Sequence, residues 1–68
     1  MCIATVYADT NGELKELMRD VVRIEAERNR FRLINLFGEE KYLEGKLKHI
    51  DFWEEHSVVL EQTCQDLA

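Results

Sequence analysis

The sequence has no proline, only three glycines, two cysteines and one tryptophan among its 68 residues. Without proline, low-complexity runs or internal repeats it offers neither a linker nor a solenoid. No apolar run approaches the roughly 18 residues of a membrane helix. No charged and apolar leader precedes the domain, so a cytoplasmic chain with reduced thiols is expected. Basic residues are scarce as well. Nine Lys and Arg stand against fourteen Asp and Glu, for a net charge of −5, and they are scattered instead of forming a stripe, which argues against nucleic acid as a partner.

Length excludes still more. A chain of this size is one domain that buries only about 60% of the surface its unfolded form exposes, leaving no room for a deep active-site cleft. Ordering costs about 1.5 kcal/mol per residue, so a small core calls for support from a second copy, a metal or disulfides. A homodimer is therefore expected.

What is present is a string of short β-like segments. Cys2 to Ala8 is rich in β-branched and aromatic residues, with Cys2, Ala4 and Val6 on one face and Ile3, Thr5 and Tyr7 on the other. Asp9, Thr10, Asn11 and Gly12 form a turn, because Asn-Gly readily supplies positive φ. In ELKELMRDVV, residues Leu14, Leu17, Met18 and Val21 fit helical spacing, but the β-like neighbours favour a returning hairpin strand over a short helix. Val22, Ile24 and Ala26 then alternate with charged residues as in a strand wet on one side. After a tight connection at Arg28, Asn29 and Arg30, Phe31 and Leu33 point inward until the turn at Phe37 to Glu40. Tyr42 to Leu47 and Ile50 to Phe52 read as strand, but the inward phase of Leu43 and Leu47 does not match that of Ile50 and Phe52. Gly45 or the Lys48-His49 pair is expected to hold a bend or bulge. Ser57 to Leu60 is the last strand. The fold class is all-β, a small barrel-like or sandwich domain of about six or seven short antiparallel strands. It spans residues 1–62, with a polar C-terminal tail at 63–68.

Most candidate residues have ordinary readings. Phe31, Phe37, Phe52 and Trp53 are core or interface, and the Glu39-Glu40 and Glu54-Glu55 pairs are solvated turn acids. His49 and His56 read as surface residues, since no second ligand stands at a metal-binding spacing. Cys64 reads as an incidental thiol of the tail. Cys2 differs. Removal of Met1, which a small following side chain permits, leaves Cys2 with a thiol and an α-amine on one Cα. Their ordinary pKa values, about 8.5 and 7.7 to 8.0, let a metal deprotonate both near neutral pH. The pair closes a five-membered chelate ring, and a two-fold axis beside it completes an S₂N₂ set. A planar set suits Ni²⁺ or Cu²⁺, a tetrahedral one Zn²⁺. Alternatively, Cys2 is a small buried hydrophobe in line with Ala4 and Val6. A third reading, an N-terminal nucleophile resembling the Met-Cys opening of glutamine amidotransferases, requires a far larger domain.

The segments MCIATVY, DVVRIEAERNRFRL, LFGEEKYLEGKLKHIDF and HSVVLE resemble the CooT family over roughly residues 1 to 62. The most specific marks are Met1-Cys2 followed by Val6-Tyr7, the LFGEEK turn and the closing VVLE. That resemblance implies a compact all-β homodimer, not an enzyme. It implies one Ni²⁺ per dimer held between subunits by Cys2, in a metallochaperone or accessory role for carbon monoxide dehydrogenase or another nickel enzyme. The tail with Cys64 has no counterpart in the family. Some members were long labelled predicted RNA-binding proteins, so a small RNA-binding barrel, resting on Arg28, Arg30 and Arg32, is the rival. A ligand-free protein-interaction module is the third possibility.

Overall fold

The computed structural model describes residues 3–62. It consists of five strands, β1 (Ala4–Thr10), β2 (Glu13–Ala26), β3 (Arg30–Asn35), β4 (Glu40–Asp51) and β5 (Ser57–Gln62). Each strand pairs antiparallel with the next, and β5 returns to β1 to close a barrel. The all-β barrel expected from the sequence is present, with two corrections. Among the described residues there are five strands instead of six or seven, and the β1–β5 seam is parallel. The second follows from the first: in an up-and-down ring with an odd number of strands, the first and last run the same way.

The strand count falls because two strands are long and bent. The segment with helical spacing is indeed a strand, and it continues without a break into the alternating segment that follows it. The bend sits at Asp20, whose φ is 56°. An extra residue, Val22, lies between the Val21–Asn35 and Arg23–Ile34 pairs. This bulge reverses the phase expected for Val22, so Val21 is buried and Val22 is exposed. The first half of β2 pairs with β1 and the second with β3.

Strand β4 also carries a bulge, at one of the two positions suspected from its sequence, while the other, Gly45, permits a close approach of backbones. Gly45 sits where a side chain would run into the Glu61 carbonyl oxygen, so only glycine permits this approach. Lys48 is the bulge residue, lying between the Leu47–Leu60 and His49–Val59 pairs. The first half of β4 covers β3 and the second covers β5.

The turn from β1 to β2 is only Asn11 and Gly12, at φ values of 55° and 84°, the pattern that matches the twist of a two-residue hairpin. Asp9 and Thr10, expected in this turn, belong to β1 instead. The core consists of Val6, Ala8, Met18, Val21, Leu33, Leu43, Val58 and Leu60, with Ala4, Leu17, Ile24 and Phe31 packed against it. Leu47, Ile50 and Phe52 are not core, since 51%, 48% and 59% of their surface is exposed. Within β4 only Leu43 is buried, and every residue from Lys46 to Ile50 is exposed.

Candidate functional site

Cys2, the candidate ligand, and Cys64 lie outside the described residues. Cys2 is two positions ahead of Ala4 in the sequence, so the surroundings of the start of β1 are the relevant geometry. On one side Ala4 pairs with Val21 at the bend of β2. On the other, Thr5 pairs with Ser57, and its N–H donates to the His56 carbonyl at 2.9 Å. The start of β1 is thus clamped between the β2 bend and the turn from β4 to β5.

Both flanks expose apolar side chains. On the β2 side Val22 is 44% exposed and Leu36 is 52% exposed, the latter tied to the bend by its N–H donating to the Asp20 carbonyl at 2.8 Å. On the other side the β4–β5 turn carries Phe52 and Trp53, the latter 91% exposed. The Phe52 ring lies 5.5 Å from that of His56, tilted by 46°. A core position is therefore overturned for Phe37, Phe52 and Trp53, all exposed, whereas Phe31 does pack against the core. The sequence signal for this exposure was available in Phe52-Trp53-Glu54-Glu55, where aromatics run into a polar turn.

His49, on β4, and His56 are both exposed. Among the described residues no group of three or more His, Cys, Asp or Glu is arranged to hold a metal ion. Among the described residues the buried charged side chain is that of Asp9, at the opposite end of β1. There the Asp9 carboxylate accepts hydrogen bonds from Gly12 N–H at 3.0 Å and from the Lys48 ammonium, which the β4 bulge sends across β5. The lysine bond holds the Asp9 carboxyl below its ordinary range and raises the pKa of Lys48. These residues are 39 apart in the chain, and no local pattern announces their pairing.

Two of the three arginines of the rival RNA-binding reading, Arg30 and Arg32, are already engaged. Arg30 Nε bonds Glu27 at 2.8 Å, and its guanidinium lies 4.2 Å from the centroid of the Tyr42 ring. Arg32 reaches Glu25 at 2.8 Å and Glu40 at 2.9 Å, and the bond to Glu40 raises its pKa. Phe31 packs inward, where it cannot stack on a base.

Comparison with known proteins agrees with this architecture. No curated protein matches the chain. Among solved structures, a crystal structure of a protein described as CooT, from Carboxydothermus hydrogenoformans, is similar with a TM-score of 0.82. The two share 21% sequence identity over 91% of this chain and 98% of the other, a likeness of fold. The family model "CO dehydrogenase accessory protein CooT" matches residues 1–61. The chain belongs to the CooT family of CO dehydrogenase accessory proteins.

Proposed function

We propose that the protein is a non-enzymatic nickel carrier. Two copies hold one Ni²⁺ between them through Cys2, and the ion is cargo for the maturation of carbon monoxide dehydrogenase. The observation that carries this reading is the family match, which runs from residue 1 and so includes the Met1-Cys2 opening. Chelation chemistry supports it. A thiolate and an adjacent nitrogen from each chain make a donor set that suits Ni²⁺, while Cu²⁺ and Zn²⁺ compete for the same atoms in vitro.

The surroundings of β1 support the assembly. The exposed pair Val22 and Leu36 beside the β2 bend forms an apolar flank that a second copy would cover. A shared ion stabilises whichever state binds it, so nickel should strengthen the dimer by mass action. Release then requires only that the dimer loosen, and no bond of a substrate is made or broken by the protein.

Native mass spectrometry tests this directly. The unsubstituted protein is expected to take up one Ni²⁺ per two chains, and Cys2→Ser to take up none while keeping the β-type circular dichroism of the parent. A Cys2→Ser protein that still binds one Ni²⁺ per two chains overturns the reading.

A further inference from the structure

The turn between β4 and β5 has three properties that do not follow from its role as a connection. Trp53 is 91% exposed, and Phe52 and Ile50 beside it are 59% and 48% exposed. The turn is also fixed in place. Asp51 Oδ1 accepts the Trp53 N–H at 2.8 Å, the rings of Phe52 and His56 pack together, and the His56 carbonyl is bonded by Thr5. Finally, it gathers three acids, Asp51, Glu54 and Glu55, close together in the chain, and among the described residues none of the three takes part in an ion pair.

We propose that Ile50, Phe52 and Trp53, with Asp51, Glu54 and Glu55 beside them in the chain, dock into an apolar pocket with a basic rim on the protein that receives the metal. Tryptophan is the residue type most often found at the energetic centre of an interface, and a turn already held in its binding shape loses little freedom on docking. The unpaired carboxylates select a cationic rim and speed encounter with it. A second copy of this chain is the poorer occupant. A two-fold contact through the turn sets each copy's three acids against the same three, in a chain whose net charge is already −5. Through the Thr5–His56 bond the turn adjoins the start of β1, so docking here brings the metal-bearing end of the chain to the recipient. This inference rests on the accessory reading above and takes carbon monoxide dehydrogenase as the recipient.

Trp53 is the only tryptophan, so 5-fluorotryptophan labelling gives a single ¹⁹F resonance from this turn. Unlabelled, nickel-free carbon monoxide dehydrogenase is expected to shift or broaden that resonance, with an apparent affinity that falls as salt is raised. Trp53→Ala is expected to weaken the complex about tenfold or more, and the Glu54→Gln, Glu55→Gln double variant to weaken it and flatten its salt dependence. Both variants should still bind one Ni²⁺ per two chains. Two results overturn the docking surface while leaving the carrier reading intact: undiminished binding of the enzyme by Trp53→Ala, or a resonance that moves with the protein's own concentration and not with the enzyme. If neither the unsubstituted chain nor any variant binds the enzyme, the delivery reading fails and the docking surface with it.

Discussion

The two ends of the β1–β5 seam are built from different kinds of residue. Where the two strands end, polar groups are matched: Asp9 with Gly12 and Lys48, and Thr10 with Gln62 at 2.9 Å. Gly45 there lets β4 press against the Glu61 backbone. Where the strands begin, Trp53, Phe52, Val22 and Leu36 are exposed to solvent and the acids of the turn have no ion pair among the described residues. At one end polar side chains are bonded across the seam, whereas at the other aromatic side chains are exposed. That division leaves exposed aromatic side chains at the end of the barrel where β1 starts.

Substitutions at the closed end should damage the fold and spare metal binding. Gly45→Ala is expected to have the largest effect, about 1–3 kcal/mol of lost stability from forcing a side chain against backbone, read as a lower urea midpoint. Nickel uptake per folded dimer should be unchanged, and a carrier lost while the fold survives would erase the distinction between the ends.

A smaller effect is expected from Asp9→Asn, and it should depend on pH. Because the Asp9 carboxyl titrates below its ordinary value of 3.8, its contribution is fully present above that value and is lost as pH falls through the folded-state value. Glu40, lowered by its bond from Arg32, loses its contribution in the same direction. Thermal melting of Asp9→Asn should therefore lie below that of the parent at neutral pH and converge with it in acid. A constant gap at every pH would show that the carboxylate's charge is not what closes this end.

The smallest change in stability is expected at the open end. Trp53→Ala removes the largest exposed side chain, and the melting curve should move by no more than about 0.5 kcal/mol. A loss of several times that amount would make Trp53 structural and remove the contrast.

Local chemistry was the most legible part of the fold. Asn11-Gly12 announced its turn, Leu33 and Phe31 announced an inner face, and the phase conflict in β4 announced an irregularity that the structure places at Lys48. What could not be read was set by distant partners. The alternation on either side of Asp20 looks like two strands, and only the pairings with β1 and β3 show one strand bent between them. The pattern of Leu47, Ile50 and Phe52 looks like an inner face, because period alone does not say whether another layer lies opposite. The site shows the same split: the chelating capacity of Cys2 is a property of its position in the sequence, whereas the clamp around β1 and the exposed turn beside it required the fold.

The central claim is that sulfur from two chain beginnings holds one metal ion. Nickel X-ray absorption on the loaded dimer tests it most directly. Scattering from two sulfur and two nitrogen neighbours per nickel is the result this account predicts, and a shell of nitrogen and oxygen alone, with no sulfur, would contradict it.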